Sequence, residues 1–180
     1  MNPPVHDAAG DAPPLQEAES PVPRPAVEVA VVMQREAAPN AWQAWRHRLV
    51  DVVPAQAAFG GVPRVLRDDG QVCRTLHPGF RLELFRDEAE GYHLNLTSGA
   101  PVWFVVWRID DEDPSRAWPE TVSLSYNEAG RWLDAQEQVD NVPLSPDLAA
   151  WLQTYTDAHY RPEPKRRRRP QSFLPPQERT

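Results

Sequence analysis

Val102-Trp103-Phe104-Val105-Val106-Trp107-Arg108-Ile109 decides the fold of this chain. Seven of its eight residues are apolar, and most are β-branched or aromatic. Such a run is far too short to span a membrane. It reads as a central β-strand covered on both faces, because a half-exposed strand would alternate apolar with polar residues. Gly99-Ala100-Pro101 turns the chain just before it, and Asp110-Asp111-Glu112-Asp113-Pro114 follows as a solvated acidic turn.

Working outward, the flanks do alternate. Phe80, Leu82 and Leu84 are interleaved with Arg81 and Glu83, and Tyr92, Leu94 and Leu96 with His93 and Asn95. Val122, Leu124 and Tyr126 are interleaved with Ser123 and Ser125. Each reads as a half-buried strand. Asp69-Gly70 between two short apolar segments is a hairpin signal. The Val-rich residues 27–35 read as a strand. Residues 40–53 fit a helical stripe through Trp42, Trp45, Leu49 and Val52 with Asn40 as cap. Their end, Leu49-Val50-Asp51-Val52-Val53-Pro54, favours a strand instead.

Two helices follow the strands. Asn127 is placed to cap residues 128–135, with Ala129, Trp132 and Leu133 on one side. Ser145-Pro146-Asp147 opens a second helix with cap, proline and acid in order. Its stripe of Leu148, Trp151, Leu152, Tyr155 and His159 should pack on the sheet, and Pro162 prevents its extension. The expected fold is α+β: an antiparallel, barrel-like meander of about six strands covered by a C-terminal helix.

Composition sets the boundaries. Seven of the 21 prolines fall in residues 1–26, a stretch without any aromatic residue, so this segment is expected to be disordered. Residues 161–180 are Pro-rich and basic and read the same way. A single folded domain is expected over residues 27–160, where all seven Trp lie. The three segments carry net charges of -3, -9 and +5 in that order, within a total of -7. Lys165, Arg166, Arg167, Arg168 and Arg169 form a basic run on an acidic protein. Blocks of like charge are usually solvated tails, and an acidic body repels nucleic acid, so nucleic acid is not the expected partner. The run is suited to an acidic protein partner or to the chain's own body.

Reactive chemistry is sparse. Gly60-Gly61 precedes Val62-Pro63-Arg64 without the lysine of a phosphate loop, so it reads as a turn. Cys73 is the one cysteine, which excludes an intrachain disulfide and a Cys-rich metal centre. Cys73 with His77 or His93 could be drawn as a dyad, but the other histidines are scattered and the carboxylates form no acid–base pair. No catalytic, cofactor or metal residue is expected. Trp103 and Trp107 share one strand face, as core residues or as a stacking platform for bases. No secretory signal or membrane span is read, and the single cysteine fits a reducing cytoplasm.

Several stretches together carry a family resemblance. They are Val29-Ala30-Val31-Val32-Met33-Gln34-Arg35, Trp103 through Arg108, and above all Leu124-Ser125-Tyr126-Asn127-Glu128-Ala129-Gly130-Arg131-Trp132-Leu133-Asp134. His159-Tyr160-Arg161-Pro162-Glu163-Pro164 then leads into the basic run. The chain resembles the proteobacterial, formate-dehydrogenase-associated family catalogued as domain of unknown function 3305, over roughly residues 27–173. The resemblance implies a gene neighbourhood shared with formate dehydrogenase and its maturation proteins. It therefore implies a non-catalytic cytoplasmic accessory protein of a molybdenum-dependent enzyme, acting by contact with a dehydrogenase subunit or maturation factor. The alternatives are a nucleic-acid-binding regulator using the tail, and the molybdopterin-guanine dinucleotide nucleotidyltransferase that some relatives are named for. The latter is disfavoured because Gln34-Arg35-Glu36-Ala37-Ala38-Pro39 follows the first strand without a glycine. Candidate partner-contact residues are the basic run together with Tyr126, Asn127 and Arg131 of the signature stretch.

Overall fold

The structure is a computed structural model and describes residues 23–38 and 44–162. Asn40, Trp42, most of the proline-rich N-terminal segment and the basic run lie outside the described residues. The strands are β1 (Ala26–Ala37), β2 (Trp45–Pro54), β3 (Arg64–Asp68), β4 (Val72–Glu83), β5 (Val102–Ile109), β6 (Ala117–Ser123) and β7 (Val139–Pro143). The helices are α1 (Ala89–Leu96), α2 (Tyr126–Asp134) and α3 (Pro146–His159), with 3-10 turns at Ala57–Phe59 and Arg86–Glu88.

Among the described residues all strand pairs are antiparallel, as the α+β reading expects, but they form two sheets and no closed barrel. One sheet has the order β2-β1-β4-β3 and the other β6-β5-β7. The sheets face each other: β6 lies against β4 and β1, and β7 against β2. Val29, Val31 and Met33 of β1 and Trp103, Val105 and Trp107 of β5 meet in the core between them. Trp103 is only 1% exposed, so the two tryptophans are packing residues and offer no stacking platform. The central-strand reading of β5 holds. Its other face carries the buried Phe104 and Val106, and α2 packs on β5 and β7.

The early strands form as read, and the residues 45–54 resolve as strand β2. The Asp69-Gly70 turn joins β3 to β4, with Gly70 at φ 84 and the Asp68 carboxylate accepting from its N–H. Along β4 the parity changes. Val29 pairs with Phe80 but Val31 pairs with His77, so Pro78 and Gly79 form a bulge. Gly79 takes φ 94, a backbone conformation that favours glycine. The bulge is why Cys73, Thr75 and His77 share the inner face with Phe80 and Leu82, although the step from His77 to Phe80 is three residues instead of two.

Three local readings are corrected. Residues 89–96 are helix α1, although Tyr92, Leu94 and Leu96 alternate. The buried residues Ala89, Tyr92 and Asn95 recur every three positions, which is helical spacing, and Leu94 is exposed. Strand β6 ends at Ser123, and Tyr126 opens α2 on the surface instead of closing a strand. The cap of α2 is Ser125, whose hydroxyl accepts from Glu128 N, and Asn127 is already inside the helix. By contrast Ser145 caps α3 as read, accepting from Leu148 N. The α3 stripe enters the core between the sheets through Leu152 and Tyr155, with Leu148 and Trp151 packed against it; α3 also lies along α1, and the Tyr155 hydroxyl donates to the Leu84 carbonyl just after β4.

Candidate functional site

Two places gather side chains of interest, at opposite ends of the sandwich. The first is built on the signature stretch. Ser123, the last residue of β6, and Ser125, the cap of α2, are both buried. Ser125 N donates to Ser123 Oγ at 2.9 Å, and Glu128 N donates to Ser125 Oγ at 3.1 Å. The two hydroxyls then donate to carboxylates, Ser123 to Glu128 and Ser125 to Glu88. Glu88 also accepts from the Arg131 guanidinium at 2.6 Å. Five side chains from β6, α2 and the turn before α1 thus satisfy one another.

Two neighbours tighten this clamp. Asn95 of α1 is 1% exposed and donates to the carbonyls of Val102 and Leu124, while its carbonyl accepts from Val102 N. It ties α1 to the start of β5 and the end of β6. Gly91 of α1 lies so close that a Cβ there would fall 2.1 Å from Ser125 Oγ and 3.2 Å from Asn127 N. Tyr92 completes the corner: its hydroxyl oxygen accepts from Phe85 N, and burial pushes its pKa up to about 12, helped by the Glu88 and Glu128 carboxylates.

The clamp fixes what α2 shows to solvent. Tyr126 and Leu133 lie seven residues apart, on one flank of the helix, and are 54% and 59% exposed. The Tyr126 ring packs edge-on against Phe104 at 6.2 Å. Of the sequence-read contact residues, Tyr126 is available for contact, Arg131 is engaged with Glu88 and Asn127 is half-buried beside Gly91. The basic run lies outside the described residues. Ser123, Ser125, Glu88, Gly91 and Asn95 are not among the site residues expected from the sequence. The Ser125-x-x-Glu128 spacing is the one signal that pointed to part of the clamp, since a serine three residues before an acid marks a helix start.

The second place is an inter-sheet cleft of about 460 Å³ at the far end. It exists because a four-stranded sheet overhangs a three-stranded one, leaving β3 exposed along its whole length. Its floor includes Cys73, Thr75 and His77, and its roof is the segment around Ser115. Arg35 donates to the Ser115 carbonyl at 3.1 Å, and His47 Nε2 lies 2.9 Å from the Pro114 carbonyl, which makes it the donor there. Burial holds His77 below its ordinary pKa, so it stays neutral to lower pH. Cys73 and His77 are not a dyad, since four residues along a strand separate their backbones by about 13 Å. His93 is on α1 and stacks on Tyr160 at 4.4 Å. Among the described residues, no three His, Cys, Asp or Glu side chains converge so as to hold a metal ion. The acidic residues 110–113 form a turn, with the Asp110 carboxylate accepting from Glu112 N and Asp113 N. No described helix is long and apolar enough to cross a membrane.

Comparison with known proteins gives one match. The chain belongs to the family described as protein of unknown function (DUF3305), whose model matches residues 28–169. No curated protein and no solved structure matches it.

Proposed function

We propose that this chain is a non-catalytic cytoplasmic accessory protein of a molybdenum-dependent formate dehydrogenase, acting in assembly, cofactor insertion or subunit association through protein contact. The supporting observation is the α2 flank. Tyr126 and Leu133 are large, apolar and exposed, and they sit on a helix whose start is locked by a buried polar clamp. Exposed apolar residues on a rigid element suit a contact surface, because little conformational freedom is lost on docking. The formate-dehydrogenase assignment itself comes from the gene neighbourhood that the family resemblance implies.

Affinity purification from the native host under mild salt tests this reading. The expected result is co-purification of a dehydrogenase subunit or a maturation factor. Recovery of neither would count decisively against it.

A further inference from the structure

We propose that the outer face of the four-stranded sheet docks a short acidic segment of a partner protein, held across the strands by a row of arginines. This face lies on the other side of the sandwich from α2, and the proposal does not rest on the dehydrogenase reading.

Strand register builds the row. Gln34 of β1 is paired with Arg48 of β2 on one side and with Arg74 of β4 on the other, and Arg74 is paired in turn with Arg67 of β3. Residues paired across antiparallel strands share a face. That face is the outer one, because Val32 and Leu76, two residues along from Gln34 and Arg74, pack in a small cluster apart from the inter-sheet core. Four strands at the ordinary spacing make the row about 14 Å long. Arg46, paired with Glu36, and Arg64, paired with Leu76, flank it.

The charge here opposes that of the body. Residues 27–160 carry a net -9, yet five of their 11 arginines gather on this face. They meet three carboxylates, Glu36, Asp51 and Asp69. Two of those are already used, Glu36 by Arg48 at 3.3 Å and Asp69 by Arg67 at 2.6 Å. Arg46, Arg64 and Arg74 form no ion pair with a described residue. Arg64 donates to the Ala58 carbonyl and covers the Phe59 ring, and Arg74 donates to the Gln34 side chain.

Two further features point to a ligand. Arg67 and Arg74 stand directly opposite each other, and like charges so placed weaken a sheet. A carboxylate arriving between them turns that repulsion into attraction. Gln34 is only 3% exposed; its oxygen accepts from Arg74 Nε and its amide donates to Glu36, which also holds Arg48. One buried amide thus tethers guanidiniums on both sides of β1, so little freedom is lost when a carboxylate docks. Carboxylates three or four residues apart on a helix lie about 5 Å apart, close to the strand spacing. A long polyanion fits worse, since beyond this face it meets the acidic remainder of the body. Phe59 lies beneath Arg64 and offers no open ring on which a base could stack.

The test titrates the full chain at low salt with an octa-glutamate peptide and follows the backbone amide and arginine Nε–H resonances by NMR. The expected result is saturable shifts of Arg48, Arg64, Arg67 and Arg74 with one shared Kd. Arg64→Gln with Arg67→Gln, on the fully exposed β3, should raise that Kd about fivefold without lowering the denaturation midpoint by more than a surface change does. Tyr126→Ser with Leu133→Ser should leave the Kd unchanged, so failure of the α2 reading would show separately. Shifts absent from these four arginines, or a Kd indifferent to the Arg64→Gln, Arg67→Gln change, would overturn the proposal. So would a thymidine octanucleotide that moves the same resonances at lower concentration, which would make the face a nucleic-acid surface.

Discussion

The two ends of the sandwich are built on opposite rules. At the end carrying α1 and α3, the buried polar side chains are paired: Asn95, Ser123, Ser125 and Thr156 each have hydrogen-bond partners. At the other end, β3 is exposed, the sheets part around a cleft, and Trp107 Nε1 is buried without a hydrogen-bond partner among the described residues. Buried polar networks are worth most when complete. The helical end is therefore the stiff one, and it carries both the α2 flank and the root of the basic run.

The largest expected effect breaks the stiff end at its deepest point. Asn95→Ala leaves the Val102 N–H and two carbonyls unpaired in the core, and should cost about 4 kcal/mol, read from denaturant midpoints. Gly91→Ala should cost about 3 kcal/mol by overpacking against Ser125, although alanine is the better helix former by about 1 kcal/mol. A stabilised Gly91→Ala protein would contradict the clamp geometry.

Titration separates the ends further. Tyr92 is neutral in the fold with its pKa raised from 10.0 to about 12. The unfolded chain ionises first, so the stability this burial provides is present below pH 10 and is lost as pH rises toward 12, by about 2 kcal/mol. Alkaline denaturation followed at fixed urea should show the loss, and Tyr92→Phe should flatten it. At the open end the sign reverses. Burial lowers the His77 pKa from 6.5, so the associated stability is complete above pH 6.5 and declines as pH falls through the lowered value. His77→Gln should remove this acid loss.

The same division explains what the chain's residues disclosed in advance. The Asp69-Gly70 turn, the doubly covered run of β5 and the Ser145-Pro146 helix start depend on local chemistry, and each forms as read. Tyr92, Leu94 and Leu96 misled because an eight-residue helix is too short to establish its period, and only the burial of Asn95 against β5 and β6 decides it. The split into two sheets was illegible for a related reason. β1 pairs with both β2 and β4, and the β1–β4 pairing joins residues more than 35 apart, which no local pattern encodes. The clamp likewise joins Glu88 to Ser125 and Arg131 across 37 and 43 residues.

The most direct test of the account asks which end a partner uses. Tyr126→Ser with Leu133→Ser removes the exposed flank of α2, and Val65→Ser with Leu66→Ser makes a matched change on the exposed β3. The Leu133 and β3 changes should each alter stability by less than about 0.5 kcal/mol, and Tyr126→Ser should cost about 1 kcal/mol because its ring packs edge-on against Phe104. In quantitative affinity purification from the native host, the account predicts that the α2 pair lowers recovery of the dehydrogenase subunit or maturation factor at least about tenfold, while the β3 pair leaves it unchanged. Retained recovery with the α2 pair, or loss with the β3 pair alone, would contradict it.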